Sequence, residues 1–150
     1  RHHTKDKGDL ATAQVQADLI ERGAMVLLPL TEHAPFDLVA YQSGVFSRVQ
    51  VKYRATSRGV LPVHFRSVWS DRNGVHARPI ERVEIDVLAI YSPETRSCYY
   101  LDPTEFAASV SLRLDPPKNG QTANVLFASD FAEFPPRSRR SEDELPGGEV

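Results

Sequence analysis

The chain has 150 residues, 41% hydrophobic and 25% charged, the proportions of a single soluble globular domain able to bury its own core. One cysteine, Cys98, excludes an internal disulfide and points to a reducing compartment, so the expected location is cytoplasmic. No apolar run is long enough for a membrane span, and the opening residues Arg1, His2, His3 and Lys5 lack the apolar stretch of a signal peptide.

The net charge of −2 hides an uneven distribution: residues 1–80 hold 11 Lys and Arg against 7 Asp and Glu, and residues 81–150 hold 7 against 13. Between 45 and 80 there are seven basic residues to one acidic. A local excess of that size can attract a polyanion although the whole chain is acidic.

In chain order, residues 9–22 are predicted as a helix, with Asp9 as N-cap, Leu10, Ala13, Ala17 and Ile20 at helical spacing, and Gly23 as the stop. Met25–Leu28 is a short apolar strand ended by Pro29. Phe36–Tyr41 and Val45–Arg54 form two strands of a hairpin around Gln42-Ser43-Gly44. In the second strand Val45, Ser47, Val49, Val51 and Tyr53 share one face, while Phe46, Arg48, Gln50, Lys52 and Arg54 share the other. A further strand is expected over Val60–Arg66, followed by a polar loop, Ser67–Pro79, with a turn at Asp71-Arg72-Asn73-Gly74. Val83–Tyr91 is predicted to be a central strand and Cys98–Leu101 its neighbour, with a short helix over Pro103–Val110 near a cap at Asp102. Asn124–Phe134 is apolar and ambiguous, and the tail from Pro135 to Val150 is charged and rich in Pro and Gly. The order helix, strands, helix predicts an α/β sandwich on a mixed sheet.

The chemistry concentrates in Pro35-Phe36-Asp37, twelve intervening residues, and Gln50-Val51-Lys52. Across a hairpin Asp37 can approach Gln50 and Lys52, which share a face because they lie two apart. A three-residue loop with a bulge, or a four-residue loop, would set Asp37 opposite Gln50, the register the functional reading requires. Mg2+ takes oxygen ligands, here the Asp37 carboxylate, the Gln50 amide oxygen and the Val51 carbonyl. Lys52 would orient or help deprotonate the attacking water, or stabilise charge on the phosphorane.

The pattern P-F-D…V-Q-V-K, after a helix beginning K-G-D-L and before F-R-S-V-W-S-D-R-N-G-V-H, resembles the PD-(D/E)xK nuclease superfamily. Within it the chain is similar to the bacterial group I intron homing endonucleases built on that fold, from about Lys7 to about Phe134. The resemblance implies a restriction-endonuclease-like core (αβββαβ), a mixed sheet flanked by helices, Mg2+ dependence, cleavage of double-stranded DNA and function as a homo-oligomer, a dimer or tetramer with the tetramer favoured. Two departures matter. Gln50 stands where most of the superfamily has Glu or Asp, and Thr12 stands about where many members place a Glu of the first helix, so the chain is expected to be impaired unless another group replaces that charge.

DNA contact is expected from Arg66, Ser67, Arg72, Asn73, His76 and Arg78, whose donors reach phosphates and base edges, since a β-ribbon or loop can enter the major groove. Lys5, Lys7, Arg48, Arg54 and Arg58 supply further cationic contacts. Trp69 is read as core or subunit contact, and the tail with Arg137, Arg139 and Arg140 as solvated or subunit-bridging. His2, His3 and His33 fit no closed zinc site. The expected organisation is a nuclease domain over 1–134 and a charged tail over 135–150. The competing readings are a structure-selective nuclease of the Holliday-junction type, a DNA-binding protein without catalysis, and an unrelated α/β protein with solvated arginines.

Overall fold

A computed structural model describes residues 4–80, 83–115, 119–120 and 125–137, with backbone alone for 67–70. The helix α1 runs over Thr4–Glu21. It begins earlier than its sequence suggests, so Asp9 lies inside it rather than at its cap. Its buried face is Ala11, Val15 and Leu19, a row of every fourth residue, whereas Ile20 is 60% exposed. Gly23 ends it at φ 87°, with its N–H on the Ile20 carbonyl and that of Ala24 on the Leu19 carbonyl, a Schellman closure.

The strands β1 (Met25–Leu27), β2 (Leu38–Gln42), β3 (Val45–Tyr53), β7 (Val87–Ser92) and β8 (Ser97–Leu101) form one mixed sheet in that order. The β3–β7 pair is parallel and the other pairs are antiparallel. All six residues of β7 are buried, as a strand covered on both faces requires. It starts at Val87 rather than at Val83, which stands 80% exposed in a turn.

One face of the sheet, with Leu38, Ala40, Val49, Val87, Ala89 and Tyr100, packs on α1. The other face, with Leu88, Ile90, Tyr99 and Leu101, packs on the antiparallel pair β4 (Val60–His64) and β9 (Ser109–Arg113) through Leu61, Val63 and Leu112. A helix was expected over Pro103–Val110. The chain instead makes one 3-10 turn, Pro103–Glu105, capped by the Asp102 carboxylate on the Thr104 N–H, and then extends into β9. A second 3-10 turn occupies Ala128–Phe131. Among the described residues α1 is thus the one α-helix, and the second apolar face is covered by β4, β9 and these turns. The layered α/β requirement is met by different elements.

The stretch Ser67–Pro79 is not a loop. Arg66–Asp71 (β5) and Gly74–Pro79 (β6) pair as a separate two-stranded ribbon closed by the expected turn at Asp71–Gly74. No helix among the described residues is long and apolar enough to cross a membrane. Residues 138–150, with Arg139 and Arg140, and the side chains of Ser67 and Trp69 lie outside the described residues.

A polar junction fastens α1 to β8 and to the segment after Phe131. The buried Tyr100 hydroxyl donates to Asp18, which pairs with Arg22 at 2.8 Å, and Arg22 donates to the Ala132 carbonyl at 2.6 Å. The Arg22 guanidinium also lies 5.4 Å from the Tyr100 ring centre, and Phe134 meets the same ring edge-on at 5.2 Å. Burial pushes the Cys98 thiol up to about 12, so it is an inert core group. Tyr100→Phe removes a bond to a charged acceptor and is expected to lower the unfolding free energy by about 1–2 kcal/mol in urea titration; an unchanged midpoint would deny the junction that role.

Candidate active site

The site is built by the turn between β2 and β3. Ser43 (φ 53°) and Gly44 (φ 80°) both take left-handed conformations, the pair that a two-residue hairpin turn requires. The connection is shorter than the three or four residues expected, because Gln42 pairs with Val45 inside the ladder. Leu38 then stands opposite Val49, yet the Asp37 N–H also reaches the Val49 carbonyl at 2.9 Å. The Asp37 carboxylate accepts the Val51 N–H at 2.7 Å. Asp37 therefore binds the peptide groups on either side of Gln50, which brings together Asp37, Gln50, Val51 and Lys52 as the sequence predicts.

Peptide groups alternate along β3. The Arg48 carbonyl and the Arg54 N–H bond residues at the β7 edge, whereas Val49 and Val51 bond Asp37. By that alternation the Val51 carbonyl points to the edge beyond the start of β2. Gln50 Oε1 is buried with no hydrogen-bond partner among the described residues. An orphaned buried oxygen costs free energy, and a cation would relieve that cost. The donors therefore suit a hard cation: one carboxylate, one amide oxygen and one backbone carbonyl. Among the described residues no group of three His, Cys, Asp or Glu side chains forms a richer centre.

Burial raises the Asp37 carboxyl, and the Val51 N–H and Lys52 partly oppose that rise. Burial, together with Arg54 and Arg66, pulls Lys52 down from 10.5 to about 8, while Asp37 acts the other way. The Lys52 ammonium donates to the Arg66 carbonyl at 2.7 Å. Arg54 is lowered by burial and by Arg66. His64, at the end of β4, is lowered by slight burial and then by Arg66, Arg54 and Lys52, so it stands as a neutral imidazole at neutral pH. Lys52, Arg54 and His64 thus form a cluster whose charged forms are disfavoured, with Arg66 contributing to each. His64 was not expected. Its signal lies in β4, where Leu61 and Val63 are buried and Val60, Pro62 and His64 face outward, two residues before Arg66.

Other expected contacts fall elsewhere. Arg48 is held by Asp86 through both carboxylate oxygens at 2.9 Å and by the Val83 carbonyl, a bolt between β3 and the start of β7. Lys7 lies over the Tyr53 ring at 5.6 Å on the α1 side of the sheet. Lys5 is exposed on α1 and Arg58 in the turn before β4. Thr12 spends its hydroxyl on the Gly8 carbonyl at 3.0 Å. The ribbon carries Arg66, Arg72, Asn73, His76 and Arg78, with Asp71 bracing its tip by accepting the Asn73 N–H at 2.7 Å and pairing with His76 at 2.9 Å. A groove of about 590 Å³ at the ribbon's base is lined in part by His64, Arg66 and Arg78.

A search of curated proteins finds no match. Among solved structures the chain is similar to a bacterial homing endonuclease, I-Ssp6803I, with a TM-score of 0.68 and 23% identity over 81% of this chain and 86% of that one. That likeness shows the restriction-endonuclease-like fold. Residues 2–134 match the family described as PD-(D/E)XK endonuclease. That match covers most of the chain, and the chain belongs to the PD-(D/E)XK endonuclease family.

Proposed function

We propose that this endonuclease is a sequence-specific, Mg2+-dependent enzyme of the intron-homing kind that cuts double-stranded DNA. The observation that carries the reading is the buried, partnerless Gln50 Oε1, whose two flanking peptide groups Asp37 grips, on the strand that carries Lys52. Asp37, Gln50 and the Val51 carbonyl would hold the cation. When bound, it supplies Lewis acidity and positive charge toward the scissile phosphate. Arg54 and Arg66 attract and seat the phosphates, and the neutral His64 offers a hydrogen bond without a further charge. Lys52, poised at about 8, is able to hold or release a proton near neutral pH at its Nζ, beside the phosphate the cluster seats.

The homing-endonuclease neighbour and the ribbon support the sequence-specific part, since a two-stranded ribbon fits the major groove and Arg72 and Asn73 stand exposed at its tip. Cutting both strands calls for two sites, so the reading includes a homo-oligomer, dimer or tetramer. An uncovered apolar area supports it. Met25, Tyr41 and Phe46 lie in one row across β1, β2 and β3, and Met25 and Phe46 are more than 60% exposed. The family match to residue 134 also supports a nuclease domain over 1–134.

A second reading, an impaired nuclease, is favoured by Thr12. Its hydroxyl is committed within α1, and Asp37 is the one carboxylate of the gathered ligand set.

Three measurements test these readings. On DNA with randomised sites, the parent or its Thr12→Glu variant is expected to make Mg2+-dependent breaks, with Thr12→Glu the faster; Lys52→Ala slows cutting by about 100-fold or more while binding persists. Binding without breaks from either protein would leave a DNA-binding protein, and no binding would sink the reading. For stability, a lysine lowered from 10.5 to about 8 makes the unfolded chain bind more protons across that window, so stability rises with pH there. Lys52→Met is therefore expected to unfold harder at neutral pH by roughly 1 kcal/mol after solvent screening. Its advantage should fade between about pH 8 and 10.5, and a constant difference across that range would contradict the assignment. Phe46→Glu with Met25→Lys should lower the mass seen by light scattering; a parent that is already monomeric would remove the oligomer from the proposal.

A further inference from the structure

We infer that the β5–β6 ribbon positions Lys52 through the Arg66 carbonyl, so that engagement of DNA at the ribbon's tip sets the placement of the lysine that acts on the scissile phosphate. The inference rests on the endonuclease reading above and adds a coupling between recognition and chemistry.

The ribbon is clamped to the body at one level. Phe65 is 2% exposed, stacks on Phe106 with 5.6 Å between ring centres, and donates its N–H to the Ala108 carbonyl at 3.0 Å. Ile80 is 4% exposed, and its N–H reaches the Phe65 carbonyl at 3.2 Å. Beyond that clamp the two strands pair with each other, from Arg66 opposite Pro79 to Asp71 opposite Gly74, as a sheet of their own. Arg66 is the first residue past the clamp and is exposed, and it is the residue whose carbonyl holds the Lys52 ammonium.

The lever arithmetic favours transmission. Six residues of strand extend about 20 Å, and Arg66 lies about one residue, 3.3 Å, from the pivot. A displacement of about 6 Å at the tip therefore moves the Arg66 carbonyl by about 1 Å. Starting from 2.7 Å, that shift carries the bond out of hydrogen-bonding range. The tip is stiff enough to carry the load, because Asp71 binds both the Asn73 N–H and His76. Once released, the ammonium is repelled by Arg54 and Arg66 and attracted by Asp37, which directs it toward the metal-binding edge.

The test uses the full chain and its Arg72→Ala/Asn73→Ala variant, which changes two exposed tip residues remote from Lys52. DNA carrying a site selected with the parent is cleaved under single-turnover conditions, with protein in excess until each rate stops rising. If the ribbon positions Lys52, the saturated rate of the variant falls by about tenfold or more and the inflection of its pH profile moves. If the ribbon only binds, the variant needs more protein to saturate and then reaches the parent's rate with the parent's profile, which overturns the inference and leaves the nuclease reading intact. A parent that binds its selected DNA and never cuts it, with or without Mg2+, overturns the nuclease reading and this inference with it.

Discussion

Strand side chains repeat every two residues, so the site depends on one short turn. The left-handed pair at Ser43 and Gly44 sets Gln42 against Val45 and Leu38 against Val49. A slip of one residue would exchange the faces of β3 and carry Gln50 and Lys52 into the α1 core. The register it sets starts β2 at Leu38, so that Asp37, just before it, can grip the peptide groups flanking Gln50. From there the order follows: the carboxylate is fixed by the backbone, and the Val51 carbonyl is left at an open edge. Arg48 reinforces the arrangement from the far side, because its bidentate pair with Asp86 fastens β3 to the head of β7.

The second constraint is electrostatic and works against stability. Arg54 and Arg66 lie close enough to lower Lys52, Arg66 lowers Arg54 as well, and Asp37 is the acid that eases Lys52. A surface selected for stability alone would pair or separate such charges. Here the half-buried sheet edge keeps them together with a neutral imidazole, and an incoming phosphate backbone would remove the repulsion. Under the proposed reading the destabilised resting state and the affinity for a polyanion would share one cause, which is the usual trade at functional sites.

Much of the fold was legible where burial imposes a period. The alternation of β3, the apolar run that becomes β7 and the stop at Gly23 each express a local rule that the tertiary structure obeys. Legibility failed where no core face imposes a pattern. The ribbon was read as a loop because β6 is exposed along nearly all its length, so polar residues occupy both phases of the strand. The stripe on α1 was misplaced because Ile20 looks like a core residue while small Ala11 permits the close approach to β3. At Pro103 a genuine cap and Pro started a turn that Phe106 turned into extended chain, and Leu112 in β9 then gained the buried place a helix would have filled. In the candidate site the closeness of Asp37 to Gln50 and Lys52 is readable from spacing, whereas the place of His64 and the withdrawal of Arg48 into an ion pair depend on contacts between distant segments.

The neutral Gln50 has a consequence for how such a site would divide binding from catalysis. A cation held by one carboxylate and two neutral oxygens keeps more of its positive charge than one held by two or three carboxylates. It binds the protein less tightly and polarises a phosphate more strongly. Under the proposed reading the phosphate would then become part of what retains the cation, and the neighbouring Arg54 and Arg66 would help to bring that phosphate in. Affinity for metal and affinity for DNA would, under this reading, reinforce each other at Asp37. On the same reading Gln50, which looks like a loss against the family's pattern, would thus make assembly of the centre depend on the substrate.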